Sequence, residues 1–148
     1  MTVKTKLFAA LAATLLLSGV AQAAEFEIKM LNKGVKGAMV FEPDFLKAAV
    51  GDTVKFTSVD KGHNVEGIKG MLPDGVDPFK GEVSKNFTLT LAKEGVYGIK
   101  CAPHYGMGMV ALISVGAPAN LDAAKAVKQP GKAKPNFAAL FEQLAAAK

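Results

Sequence analysis

After residue 24, apolar and polar positions alternate along most of the chain with the two-residue period of half-buried strands. Phe26, Ile28 and Met30 alternate with Glu25, Glu27 and Lys29, which predicts a strand with one face on a core and the other toward water. Lys33-Gly34 to Lys36-Gly37 is a turn, and extended chain resumes from Ala38 to Phe41 ahead of Pro43. Phe45 to Val50 leads into a Gly51-Asp52 turn, after which Val54 and Phe56 alternate with Thr53, Lys55 and Thr57. The same pattern returns at Phe87, Leu89 and Leu91. Lys93-Glu94-Gly95 then turns the chain into Val96 to Lys100, and Val110 to Val115 is a final apolar strand. Strands at this spacing, with no helical period between them, predict an all-β antiparallel sandwich.

Three stretches break the pattern. Residues 71–78 hold too much proline and glycine for a strand and read as a long loop. After Gly116-Ala117-Pro118 the chain turns alanine-rich: Asn120 is suited to cap a short helix from Leu121 to Val127, and Pro130 to Pro135 forms a link. Asn136 is suited to cap a second helix, in which Phe137, Leu140, Phe141 and Leu144 fall on one stripe. That segment is too short for a core of its own, so the stripe is expected to cover the sandwich. At the amino end, Lys4 and Lys6 precede an apolar run from Leu7 to Leu17 and the small-x-small triplet Ala21-Gln22-Ala23. This is the form of a cleaved export signal, too short to cross a bilayer as a stable span. The expected organisation is a removed leader over 1–23, a β-sandwich over 24–116 and a helical extension over 117–148 packed on it, in an exported protein with no membrane insertion.

Charge narrows the function classes. All 18 basic residues of the 148 are lysine, against 13 acidic ones. Loss of Lys4 and Lys6 with the leader would leave 16 against 13, an excess of three. Nucleic-acid binders rely on arginine forks for phosphates and base edges, and this chain has none. A mild lysine excess suits attraction to an acidic protein surface.

The single cysteine, Cys101, changes the picture more. An exported protein meets an oxidising compartment, where a lone exposed thiol is oxidised or cross-linked, so something must occupy or bury it. It stands in Cys101-Ala102-Pro103-His104-Tyr105-Gly106-Met107-Gly108-Met109, between two predicted strands. The only other histidine is His63, in Asp60-Lys61-Gly62-His63-Asn64. Taken singly, each residue has an ordinary explanation as core or surface. Together, one thiolate, two imidazoles and a thioether are the donor set of a type I (blue) copper site. Zinc sites do not use thioether sulfur, so the methionines favour copper. A Cys-His nucleophile oriented by Asn64 is the competing chemistry, disfavoured because a catalytic thiol would be left bare to oxidation.

The Cys-x₂-His-x₄-Met loop with an upstream Gly-His-Asn resembles the cupredoxins. Met30-Leu31-Asn32-Lys33-Gly34, Asp60 to Asn64 and Pro103-His104-Tyr105 resemble the pseudoazurin branch of them, over essentially the whole chain after the leader. The resemblance implies a Greek-key β-sandwich with two short carboxy-terminal α-helices, and one copper per chain cycling between Cu(I) and Cu(II). It implies His63, Cys101, His104 and Met109 as ligands, with Met107 the alternative thioether. It also implies an Asn64 backbone amide bonded to the sulfur, and Pro103 beside the sulfur with no amide to offer. Met39, Pro103 and Met107 would form an apolar rim around His104, ringed by Lys33, Lys61, Lys80 and Lys100. The function implied is one-electron transfer to the acidic face of redox proteins such as nitrite reductase and periplasmic cytochromes, by a monomer that is not an enzyme. Copper storage or delivery is the other reading, which burial of the thiolate in a sandwich disfavours because release would be slow.

Overall fold

The computed structural model describes residues 22–147, so all but the last two residues of the expected leader lie outside it. Among the described residues, eight strands form two sheets. The first holds β1 (Glu25–Gly34), β2 (Gly37–Glu42), β4 (Thr53–Ser58) and β6 (Phe87–Thr90) in the order β2-β1-β4-β6. The second holds β3 (Phe45–Ala48), β5 (Glu66–Gly67), β7 (Gly95–Lys100) and β8 (Val110–Val115) in the order β3-β8-β7-β5. The chain crosses repeatedly between the sheets, which is the cupredoxin sandwich.

The antiparallel expectation holds for most pairs and fails for two: β1 runs parallel to β4, and β3 runs parallel to β8. Alternation reports which face of a strand is buried and is silent on its neighbour's direction. Parallel neighbours arise here because each such pair is joined by a crossover through the other sheet.

The alternating positions meet in the centre. Ile28, Met30, Val54 and Phe56 from one sheet face Tyr97, Ile99, Ala111, Ile113 and Val115 from the other, all fully buried. β7 and β8 are covered on their other faces too. There Val96, Val110 and Leu112 join a second cluster with Met71, Phe137 and Leu140. Strands buried on both faces lose their alternation and read as nearly continuous apolar runs, which accounts for Val110 to Val115, where the one polar side chain, Ser114, is itself buried.

Two segments build that second layer. The loop through residues 71–78 lies against β7, with the Gly98 amide donating to the Met71 carbonyl at 2.7 Å. A Cβ on Gly98 would stand 2.7 Å from Met71, so only glycine admits the loop so closely. The second is the pair of helices α1 (Leu121–Ala126) and α2 (Ala133–Ala146). Phe137 and Leu140 of the predicted stripe are buried against β8, while Phe141 and Leu144 are half-buried at its edge.

Both predicted caps serve other purposes. Asn120 does stand at the start of α1, but its side chain makes no cap bond. It accepts from the Val96 amide at 2.7 Å and donates to the Val96 carbonyl at 2.9 Å, stitching α1 to β7 as an extra strand residue would. α2 begins at Ala133, three residues before Asn136, so Pro135 sits inside its first turn. Proline is tolerated there because the first-turn amides have no intrahelical partner to lose.

Candidate metal centre

Each side chain of the site is delivered by a different local constraint. Cys101 directly follows β7, and its amide donates to the Met109 carbonyl at 3.0 Å, which carries the β7–β8 ladder one step further and closes the intervening loop. Within the loop, Ala102–His104 form a single 3₁₀ turn with the His104 amide on the Cys101 carbonyl at 3.1 Å. That turn brings the imidazole back over the sulfur of the residue three positions earlier. His63 comes from far along the chain, in the connection between β4 and β5. Gly62, at φ +90°, makes the turn into it, and the 81–84 segment pins it: the Gly62 amide bonds Ser84 Oγ at 2.9 Å and the Ser84 amide bonds the His63 carbonyl at 2.8 Å.

These constraints bring three donor atoms to one point. Cys101 Sγ lies 3.4 Å from His104 Nδ1 and 3.8 Å from His63 Nδ1, and the two Nδ1 atoms are 3.1 Å apart. Such separations suit donors that each stand about 2.0–2.3 Å from a shared centre, the bond lengths of a first-row metal. Among the described residues, His63, Cys101 and His104 are the one such cluster of histidine, cysteine and carboxylate donors. Met109 is fully buried in the same core cluster as Cys101, whereas Met107 is 50% exposed. The thioether turned inward is therefore Met109, and Met107 stands at the surface.

The donor chemistry fits a metal ion. His63 Nε2 lies 2.8 Å from Asn32 Oδ1. A carboxamide oxygen only accepts, so Nε2 carries the proton and Nδ1 presents its lone pair to the cluster. Burial pushes the His63 pKa below its ordinary 6.5, and the neighbouring His104 adds to this, so the neutral, ligating form is favoured; Asp60 opposes in part. Burial likewise pushes the Cys101 thiol above its ordinary 9.0, against the pull of backbone hydrogen bonds from Asn64 and His104. A cation at the centre supplies what a buried thiolate otherwise lacks.

Asn64 acts through its side chain as well as its backbone. Its Oδ1 accepts from the Ala102 amide at 2.8 Å, and its Nδ2 donates to Glu66 Oε1 at 3.0 Å and to the Gly81 carbonyl at 3.2 Å. It thus ties the His63 segment to the cysteine loop. Pro103 is exposed beside the half-buried His104.

Asn32 was not singled out by the sequence as a partner of His63. Nothing in its spacing distinguishes it from an ordinary turn residue ahead of Lys33-Gly34. The structural reason for its position is a break in the β1–β2 ladder: Leu31 pairs with Val40 and Lys33 with Ala38, but Asn32 and Met39 do not pair. Met39 has φ 52°, a strained conformation for a residue with a side chain. The freed Asn32 amide turns to Asp60 Oδ2 at 2.7 Å while its side chain reaches His63.

Residues 28–116 match the family of copper-binding proteins of the plastocyanin/azurin type. The chain belongs to that family. Among its relatives, a pseudoazurin from Paracoccus pantotrophus is 52% identical over 139 residues, spanning 93% of this chain and 96% of that protein. The solved structure of a Sinorhizobium pseudoazurin gives a TM-score of 0.81 at 45% identity, covering 84% of this chain and 99% of the other. That of Methylobacterium extorquens pseudoazurin gives 0.79 at 50% identity, covering 81% and 98%. With the family established and the donor set in place, copper is the cofactor of this chain.

Two outcomes follow for the metal centre. Asn32→Ala removes the acceptor that fixes the His63 tautomer, so Cu(II) affinity falls about 10- to 100-fold in a competition titration against a chelator; an unchanged affinity would refute the tautomer argument. In the copper-free protein, the lowered His63 pKa contributes stability that is present above about 6.5 and lost as the pH falls toward the lowered value. The raised Cys101 pKa acts on the other side: the unfolded thiol ionises first, so stability falls above about 9.0. Urea midpoints measured across pH on the copper-free protein should therefore decline on both flanks, and those of a His63→Ala variant should lose the part of the acid-side decline that His63 causes.

Proposed function

We propose that this chain is a periplasmic one-electron carrier, exported by a leader over residues 1–23 and donating electrons to denitrification enzymes such as nitrite reductase. In this reading His63, Cys101, His104 and Met109 hold the copper. The observation that supports it best is the unequal exposure of the donors. His63, Cys101 and Met109 are fully buried, and only His104 is half-buried.

Copper supplies a one-electron couple between Cu(I) and Cu(II). The residues around it supply rigidity, exclusion of water and a way in. Cys101 and Met109 are held by the β7–β8 ladder and His63 by Asn32, Asn64 and the 81–84 segment, so none is free to rearrange as the charge at the centre changes. The same enclosure hinders release of the metal, which favours a carrier of electrons over a carrier of copper. It also leaves no open position for a substrate on Cys101, which disfavours thiol chemistry. His104 gives the electron its short path to the surface, beside exposed Pro103 and Met107 and half-buried Met39.

The lysines around that patch differ in what they can offer a partner. Lys80 and Lys100 both face Glu66, at 3.5 and 3.7 Å, and the Lys100 ammonium lies 5.0 Å from the Tyr105 ring centre. Lys33 and Lys61 are exposed and make no ion pair among the described residues. A small apolar patch with unpaired cations beside it suits a brief encounter with an acidic face, in which charge steering speeds association more than it tightens binding.

The test is the second-order rate of electron transfer to a copper nitrite reductase, measured across ionic strength. The Lys33→Ala/Lys61→Ala double variant should be slower by several-fold to about tenfold at low salt and should show a flatter salt dependence. Lys80→Ala should matter less, because Glu66 already offsets that charge. A double variant with the wild-type rate and salt slope would refute the steering role.

A further inference from the structure

The loop from Cys101 to Met109 carries three of the four proposed ligands, yet it contains Gly106 and Gly108 and one short turn of helix. A glycine-rich loop has many conformations to lose on ordering. Its internal hydrogen bonds use its amides: Met107 and Met109 donate to the His104 carbonyl at 3.1 and 3.2 Å, and Gly108 donates to the Tyr105 carbonyl at 3.0 Å. The groups that point away from the loop, between His104 and Met109, find partners in one short stretch of the carboxy-terminal extension. The Tyr105 hydroxyl donates to Gln129 Oε1 at 2.5 Å. The Gly106 carbonyl accepts from the Lys132 amide at 3.0 Å. The Gly108 carbonyl accepts from Asn136 Nδ2 at 2.8 Å.

The fit between the two segments is close. A Cβ on Gly131 would lie 2.4 Å from the Gly106 carbonyl oxygen, and one on Gly108 would lie 2.4 Å from Asn136 Nδ2. Gly131 and Gly108 also have φ of +48° and +92°, so a side chain at either would be strained as well as crowded. The stretch has a firm base, because Phe137 and Leu140 of α2 are buried against Val110 and Leu112 of β8. Asn136 itself is an exposed residue past the start of α2. It neither caps the helix nor fills the core, and the one side-chain hydrogen bond it makes is to the loop.

We propose that residues 129–136 clamp the Cys101–Met109 loop, with Asn136 the positioning residue that holds Gly108 and, through it, the adjoining Met109. The clamp sets the loop's shape before a metal arrives, so both oxidation states of the centre meet the same backbone. Its link to the metal rests on the reading that His104 and Met109 are ligands, whereas its effect on the loop does not.

The test is amide hydrogen exchange in the copper-free protein, paired with electron paramagnetic resonance of the Cu(II) form, for wild type, Asn136→Ala, Asn136→Asp and Lys132→Ala. Asn136→Ala removes the donor, and Asn136→Asp removes it while keeping the shape. Both should raise exchange at Met107, Gly108 and Met109 by about fivefold, the effect of losing one neutral hydrogen bond, with β7 and β8 amides unchanged. Both should also shift the copper hyperfine splitting. Lys132→Ala keeps its backbone amide and should match wild type in both readouts. Loop exchange that stays at the wild-type level in both Asn136 variants, or that rises only in step with β7 and β8, would overturn the clamp. Raised loop exchange with an unchanged copper signal would uphold the clamp and count instead against the ligand assignment.

Discussion

Three lone-pair donors brought face to face repel one another and give up their water. Holding Cys101 Sγ and the Nδ1 atoms of His63 and His104 within 4.8 Å of one another is therefore something the rest of the molecule must enforce. Much of the fold can be understood from that demand. The β7–β8 ladder is carried past its last strand residues by the Cys101–Met109 hydrogen bond, which fixes the two ends of the loop. The opposite sheet presents Asn32 to the far nitrogen of His63, and the proton placed there leaves the near nitrogen unprotonated. Asn64 joins the histidine segment to the cysteine loop from a buried position where every polar atom of its side chain is satisfied.

Two covered faces make this enforcement possible. A sandwich buries one side of each sheet, and β7 and β8 are buried on the second side as well, by the 71–78 loop and the helices. A ligand loop sprung from strands packed on both faces has little freedom at its roots. The helical extension then reaches past β8 to the tip of the same loop. One region of the chain thus completes the core and steadies the site, and the exposed edge of His104 is left as the contact with the outside.

Much of this was legible in the sequence, for identifiable reasons. Period-two alternation located β1, β4 and β6, because one face of each meets water. The run Val110 to Val115, apolar but for Ser114, marked a strand, and its weak alternation reflects the helix on its outer face. The stripe Phe137, Leu140, Phe141 and Leu144 marked α2, though Pro135 hid its first turn. The cluster of His63, Cys101 and His104 was legible because the chain holds so few residues able to bind a soft metal. What was hidden depends on contacts between distant segments. The parallel pairings, the stitching of Asn120 to Val96 and the pairing of Asn32 with His63 each join residues whose local sequence suggests only a strand, a cap or a turn. Lys80 and Lys33 look alike in the sequence, and only the position of Glu66 separates them.

The convergence of Cys101, His63 and His104 implies a single copper ion bound through the thiolate. The visible absorption spectrum of residues 24–148 loaded with Cu(II), with and without Cys101→Ala, tests it most directly. An intense blue band is expected in the unaltered protein, and its loss in the variant. A pale or colourless Cu(II) protein, or a band that survives the substitution, would contradict copper bound through the thiolate.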